Sequence, residues 1–178
     1  MASLPPISTL PSLDTEERAR VLDLLFEPCT QLHTLSVSLL HEHGFSSYSD
    51  LIDAVGKQLE NLHRSDLESD RKWLEAILSA HPRLGEKKVD SEQSRKEQAQ
   101  LNQGGAADEA EKLAELNRKY EDKFPGLRYV VFVNGRSRPV IMEDMQKRID
   151  RGDIQLEKQE AIQAMVDIAK DRAKKLAG

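Results

Sequence analysis

Apolar side chains recur every three or four residues along most of the chain, a spacing that places them on one face of an α-helix. Stripes of this kind cover residues 32–40, 51–62, 67–78, 110–124, 141–149 and 161–176. A first helix that ends at Phe26 and a polar helix after Asp90 complete the set. The pattern predicts an all-α fold, a single-domain bundle of about eight helices.

The N-terminal residues have a different character from the rest of the chain. Three prolines lie within residues 1–13, which we expect to form an extended arm before a helical domain that covers residues 14–178. Asp14 or Thr15 is expected to cap the first helix, and Ser49 the third.

One segment has the composition of a strand. Residues 129–133, Tyr-Val-Val-Phe-Val, are all β-branched or aromatic, and the Asn134-Gly135 pair that follows is typical of a hairpin turn. Yet no second strand follows, because residues 136–139 begin another helix. The sequence therefore predicts one short extended segment without a sheet partner for its backbone groups. Either neighbouring loops satisfy these groups, or some of them face a ligand.

A histidine marks the end of the fourth predicted helix. His81 lies on its apolar face, one turn after Ile77, and Pro82 is expected to stop the helix because proline has no N–H to donate. The imidazole would then point into the space beyond, and the helix C-terminus would favour a protonated ring. The alternative is a histidine that only packs or caps.

The helix after His81 is almost entirely polar. Asp90 and Gln93 have the spacing of a capping pair at its start, and Ser94, Glu97 and Gln98 share one face. A helix that is polar all round is usually a solvated surface helix, but it can also line a polar pocket. The pattern leaves both possibilities open.

One charged residue interrupts the apolar face of the last helix. Arg172 shares that face with Ala161, Met165 and Ala169, while the neighbouring charges fall on the other side. A buried arginine requires an anion, and its planar fork suits a carboxylate. That anion could belong to a ligand or to an internal partner such as Glu97; otherwise the side chain extends to the surface.

Composition excludes several classes of protein. The 178 residues suffice for one domain with a substantial core. The net charge of −5, without a compensating basic patch, argues against a nucleic-acid partner, and no apolar run is long enough to span a membrane. The only cysteine, Cys29, cannot form an internal disulfide and suits a reducing compartment. We therefore expect a soluble, cytoplasmic protein.

The histidines show no metal-binding spacing. His41 and His43 are two residues apart and would point away from each other on a helix, and no His-Glu-x-x-His sequence occurs. We expect no metal site.

An ordered set of short motifs resembles the OHCU decarboxylase family. The motifs are His81-Pro82, Leu84-Gly85, Ser94-x-x-Glu97-Gln98 and Leu116-Asn117-x-x-Tyr120-x-x-x-Phe124, followed by the strand-like run. The similarity extends from about the first helix to the last and is densest between His81 and Val133. It favours a pocket-lining polar helix over a solvated one.

The resemblance implies an activity that needs no cofactor. Members of the family convert 2-oxo-4-hydroxy-4-carboxy-5-ureidoimidazoline, a late intermediate of urate breakdown, to (S)-allantoin. The expected partner is thus this small ureidoimidazoline substrate, and family members are commonly homodimers. A peroxisomal location is a further possibility, although the C-terminus is not of the Ser-Lys-Leu type.

The resemblance also implies roles for particular residues. His81 would be the acid–base residue, with Glu97 as its catalytic partner. The expected substrate-binding residues are Pro82, Ser94, Gln98, Tyr129, Val131, Val133 and Arg172, with backbone groups of the extended segment holding the heterocycle and its ureido arm.

The chain departs from the common family pattern on both sides of the expected pocket. Many members have Phe-Gly-Phe-x-Phe where this chain has Phe-Pro-Gly-Leu-Arg-Tyr at residues 124–129, and the connection at residues 89–94 is not the commonest form. The alternative function is therefore that of a weak or inactive relative, which acts on another ureido compound or as an interaction module.

Overall fold

The structure is a computed structural model that describes residues 3–85, 92–102 and 107–176. Within these ranges a short 3-10 helix, Ile7–Ser12, precedes eight α-helices. They are α1 (Thr15–Leu25), α2 (Thr30–Glu42), α3 (Tyr48–Arg64), α4 (Glu68–Leu78), α5 (Glu92–Asn102), α6 (Ala107–Lys123), α7 (Arg138–Arg151) and α8 (Ile154–Leu176). The prediction of an all-α bundle of about eight helices is confirmed.

Side-chain caps fix where two of the helices begin. Asp14 and Glu17 form a reciprocal capping box at α1, in which the Glu17 amide donates to Asp14 Oδ1 at 2.8 Å. The cap of α3 is Ser47, whose Oγ accepts from the Asp50 amide at 3.1 Å. The prediction of Ser49 was wrong because Ser47 already has extended backbone and the helix begins at Tyr48.

The N-terminal residues fold back onto the bundle. The 3-10 helix buries Leu10, which is 1% exposed, and packs against α2. The Leu4 amide donates to the carbonyl of Leu176, at the end of α8, at 3.1 Å. The segment is thus not extended throughout, and the domain division at residue 13 stays a prediction.

The longest helix lies at the centre of the core. α8 packs along α3 more extensively than any other pair of helices in the described chain. Gly56 permits this approach, since a Cβ atom there would lie 2.9 Å from Cγ2 of Val166. α1 and α4 also contact α8, so one face of α8 is covered along much of its length.

The segment between α6 and α7 is extended and belongs to no sheet in the described chain. It ends at a tight turn in which Asn134 and Gly135 have φ values of 47° and 76°. The Arg136 amide closes this turn on the Val133 carbonyl at 3.0 Å. The predictions of a lone extended segment and of a turn at Asn134-Gly135 are confirmed.

None of the helices in the described ranges has the length and hydrophobicity needed to cross a bilayer.

Candidate functional site

A pocket of about 330 Å³ opens where four parts of the bundle meet. The loop after α4, one face of α5, the extended segment and the C-terminal half of α8 form its walls. Eight of the nine residues singled out from the sequence line it: His81, Pro82, Ser94, Glu97, Gln98, Tyr129, Val131 and Val133. Arg172 is not among the lining residues. Segments that are distant in the sequence thus converge on one cavity.

His81 lies in a turn beyond the end of its helix. α4 ends at Leu78, three residues earlier than the position of Pro82 alone suggested, because Ser79 and Ala80 already form a turn. His81 is 6% exposed, and its Nε2 has no hydrogen-bond partner in the described part of the chain. A nitrogen that is buried without a partner is available to a ligand in the pocket.

The electrostatic surroundings keep this histidine neutral. Burial lowers the pKa of His81 to about 3, and the positive charge of Arg172 acts in the same direction. The expectation that the helix end would favour a protonated ring is wrong. The loss of solvation and a nearby cation outweigh the attraction of the helix dipole.

Arg172 lies behind the pocket wall and is fully engaged with protein groups. Its side chain is 2% exposed, and Nη2 donates to Glu97 at 2.8 Å and to Glu27 at 2.9 Å. Nε donates to Glu97 at 3.2 Å, and Nη1 to the Phe26 carbonyl at 2.9 Å. The inward direction of Arg172 is confirmed, and the internal salt bridge to Glu97 is present.

Glu27 is a member of this cluster that the sequence analysis missed. It is 4% exposed and accepts hydrogen bonds from Arg172 and from the Ser94 hydroxyl. A signal was present, because Glu27 is an isolated acid between Phe26 and Pro28 in an otherwise apolar stretch. Such an acid requires a buried partner.

The polar face of α5 points into the pocket. Ser94, Glu97 and Gln98 all line it, and Ser94 and Gln98 are 4% and 7% exposed. Gln98 also fixes the loop after His81, since its Oε1 accepts from the Gly85 amide at 3.0 Å and its Nε2 donates to the Arg83 carbonyl at 3.2 Å. This face is therefore not a solvated surface.

The predicted capping pair at the start of α5 cannot be compared, because Asp90 lies outside the described residues.

A buried ionic cluster supports the extended segment from behind. Arg148 donates from Nη1 to the Val130 carbonyl at 3.2 Å and from Nε to Glu157 at 2.8 Å. Its guanidinium lies 4.7 Å from the centre of the Tyr129 ring. The Tyr129 hydroxyl donates to Asp144, and burial raises the pKa of this tyrosine. Side chains thus take the place of a sheet partner for part of this segment.

A further contact connects the extended segment to the histidine. Arg128 donates from Nη1 to the His81 carbonyl at 3.2 Å. The positions of these two walls of the pocket are therefore coupled.

The described residues contain no group of three or more His, Cys, Asp or Glu side chains arranged to hold a metal ion.

Comparison with known proteins identifies the family of this chain. The family model for OHCU decarboxylase matches residues 11–174. The chain belongs to the OHCU decarboxylase family. The match includes every residue of the pocket except Lys175, which lies one position beyond its end.

Two curated relatives show the same similarity. The chain is 28% identical over 164 residues to the uric acid degradation bifunctional protein PucL of Bacillus subtilis, and this match covers 92% of the chain. It spans only 31% of that relative, which is much longer. The chain is also 29% identical over 144 residues to the 2-oxo-4-hydroxy-4-carboxy-5-ureidoimidazoline decarboxylase of Halalkalicoccus jeotgali, a match that covers 80% of the chain and 77% of the relative.

A solved structure supports the fold. A crystal structure of OHCU decarboxylase in the presence of (S)-allantoin superposes with a TM-score of 0.62 over 93% of this chain and 99% of that one. The two sequences are 17% identical, so the comparison supports the arrangement of the helices and not the identity of individual residues.

Proposed function

We propose that this protein is a cofactor-independent decarboxylase that converts 2-oxo-4-hydroxy-4-carboxy-5-ureidoimidazoline to (S)-allantoin in urate breakdown. The observation that carries the proposal is the convergence of His81, Glu97, Ser94 and Gln98 on one pocket, in a chain that belongs to the OHCU decarboxylase family. The curated relatives are named for urate degradation and for this decarboxylation.

The chemistry of the substrate explains why side chains alone suffice. The carboxylate is attached to a ring carbon next to a C=N bond. When CO2 leaves, the electron pair of the broken C–C bond moves into that C=N bond, so the ring itself accepts the electrons. The protein has to hold the substrate in one orientation and deliver a proton to one face of the neighbouring ring carbon, which carries the ureido group, while the hydroxyl on the carbon that lost CO2 gives up its proton and becomes a carbonyl. Protonation on one face gives a single enantiomer.

His81 is the proposed proton donor to the carbon that carries the ureido group. Its ring is neutral in the unliganded pocket, because its pKa is about 3. An anionic substrate beside the ring raises the pKa, since a negative charge favours the imidazolium. The proton is then taken up as substrate binds, and it is transferred after CO2 has left.

The other pocket residues orient the substrate and the histidine. Glu97 pairs with His81 or with N–H groups of the ring, and Ser94 and Gln98 donate or accept hydrogen bonds at the ureido and ring groups. Backbone groups of Tyr129, Val131 and Val133 hold the heterocycle, and Pro82 shapes the wall. Arg172 acts from behind the wall by fixing Glu97 and Ser94.

The assembly and the location are further parts of the proposal. The family resemblance supports a homodimer. The single cysteine supports a cytoplasmic protein, because thiols persist in a reducing compartment.

The test generates the unstable substrate in situ from urate with two upstream enzymes and follows (S)-allantoin by circular dichroism. The wild type should give enantiopure allantoin faster than the background, and His81→Ala should lower the rate about 100-fold or more. His43→Ala, which changes an exposed histidine outside the pocket, should behave as the wild type. Formation of racemic allantoin at the background rate by the wild type would refute the proposal.

A further inference from the structure

Three of the four charged side chains that line the pocket are held in ion pairs. Four of the lining residues are Glu97, Asp171, Lys175 and Arg136. Glu97 is paired with Arg172 at 2.8 Å, and Lys175 Nζ lies 2.8 Å from Asp171. Arg136 has no carboxylate within ion-pairing distance among the residues that the structure describes. Arg136 is therefore the one charged residue of the pocket lining without an ion-pair partner among the described residues.

The backbone holds this cation in a defined position. Arg136 follows the tight turn at Asn134 and Gly135, and its own amide is bonded to the Val133 carbonyl. Nε of its side chain donates to the same carbonyl at 3.1 Å, and Nη2 donates to the Phe132 carbonyl at 2.5 Å. Within the described chain Nη1 has no acceptor. An anchored guanidinium loses little conformational freedom when it binds an anion.

The other two cations near the pocket are less suited to an anionic ligand. Arg172 already donates to two carboxylates and to the Phe26 carbonyl, and an additional anion would have to displace one of these buried partners. Lys175 is paired with Asp171, so an anionic ligand would have to compete with that carboxylate.

We propose that Arg136 binds the carboxylate that the substrate loses as CO2. This inference rests on the proposed function, because only that substrate brings a carboxylate into the pocket. Arginine presents a planar fork that matches a carboxylate. Arg136 is exposed, so the carboxylate lies on the open side of the pocket and CO2 leaves towards solvent.

The direction of the reaction determines which kinetic constant Arg136 affects. The carboxylate loses its negative charge as the C–C bond breaks, so its attraction to Arg136 weakens in the transition state. Arg136 therefore stabilises bound substrate more than the transition state. Its removal should raise KM about 5-fold and raise kcat by less than about 3-fold.

The first experiment uses a pair of ring compounds that differ only in a carboxylate, 2-oxoimidazolidine-4-carboxylate and imidazolidin-2-one. NMR titration of the wild type should show about 5-fold tighter binding of the carboxylate compound. Arg136→Gln should remove this preference, and Arg136→Lys should retain part of it. Arg71→Gln, an exposed arginine of α4 with the same loss of charge, should leave it unchanged.

The second experiment measures KM and kcat of Arg136→Gln with the in situ assay. An unchanged KM would overturn the proposal, as would a carboxylate preference that persists in Arg136→Gln and disappears in Lys175→Gln. If neither ring compound binds measurably, the KM comparison decides. The titration does not require turnover, so it tests the carboxylate site separately from the decarboxylase activity. If the protein prefers the carboxylate compound through Arg136 but forms no allantoin, the decarboxylase function is refuted and the carboxylate site is retained.

Discussion

Two carboxylates share one guanidinium behind the pocket. Arg172 contacts Glu27, which lies between α1 and α2, and Glu97 of α5, and the Ser94 hydroxyl joins the same cluster. Buried ion pairs of this kind contribute little net stability, but the removal of one member leaves an unpaired charge. We infer that the cluster serves to fix the orientation of Glu97 and Ser94 at the pocket surface.

The substitution Glu27→Gln tests this role. It keeps the size of the side chain but removes a charge, so Arg172 keeps one carboxylate and Ser94 loses its charged acceptor. We expect the free energy of unfolding to fall by about 2 kcal/mol and kcat/KM to fall about 10-fold. Urea unfolding and the allantoin assay measure the two effects. Glu42→Gln, an exposed acid at the end of α2, should change neither.

If Glu27→Gln destabilises the protein but leaves kcat/KM unchanged, the cluster is structural only and does not orient the pocket residues.

In the extended segment between α6 and α7, side chains make contacts that a neighbouring strand would make in a sheet. The Val130 carbonyl is bonded by Arg148, and the Tyr129 ring lies against the same guanidinium. Arg148 is in turn held by Glu157 of α8. The position of this wall therefore depends on the fork of one arginine, which has to reach an acid and a carbonyl at the same time.

The variant Arg148→Lys separates charge from geometry. Lysine keeps the positive charge beside Glu157, but it has no fork to reach the Val130 carbonyl and no plane to stack on Tyr129. We expect kcat/KM to fall at least about 10-fold and the unfolding free energy by about 2 kcal/mol. The matched control is Arg151→Lys, since Arg151 binds Glu157 at 2.7 Å and makes no described contact with the extended segment. Equal losses in both variants would mean that Glu157, and not the segment, accounts for the effect.

The elements differ in how well the sequence predicts them. The helices and the lone extended segment follow from local periodicity and turn residues, which act over a few positions. The packing of α5 does not follow from periodicity, because a polar helix has no apolar stripe that shows which side faces the core. The family resemblance predicted which face of α5 lines the pocket. The partners of Arg172 also required the structure, since periodicity shows that a residue points inward but not which acids, such as Glu27, it meets there.

At the scale of the whole molecule, the bundle encloses an ionisable group that folding keeps neutral. Four separate parts of the chain form the pocket around His81, so the ring is buried only when the fold is complete. The sequence places His81 at the end of an apolar stripe, yet the extent of its burial depends on the whole assembly. The cost of protonating this ring is therefore a property of global folding.

This property predicts how the stability of the protein depends on pH. The pKa of His81 is about 3 in the folded protein, whereas the ordinary value of 6.5 applies to the unfolded chain. Between these two pH values the unfolded chain therefore binds a proton that the folded protein does not. His81 therefore supports stability above pH 6.5, and this contribution falls by about 1.4 kcal/mol for each pH unit below it.

Urea unfolding of the wild type and of His81→Gln at several pH values between 7 and 5 measures this effect. The unfolding free energy of the wild type minus that of His81→Gln should fall by about 2 kcal/mol from pH 6.5 to pH 5, because glutamine does not titrate. His43→Gln, which alters an exposed ring, should follow the wild type at every pH. Parallel pH profiles for the wild type and His81→Gln would contradict this prediction. They would show that the ring takes up its proton in the folded pocket as readily as in the unfolded chain. The proposed proton transfer could then not begin from a neutral His81.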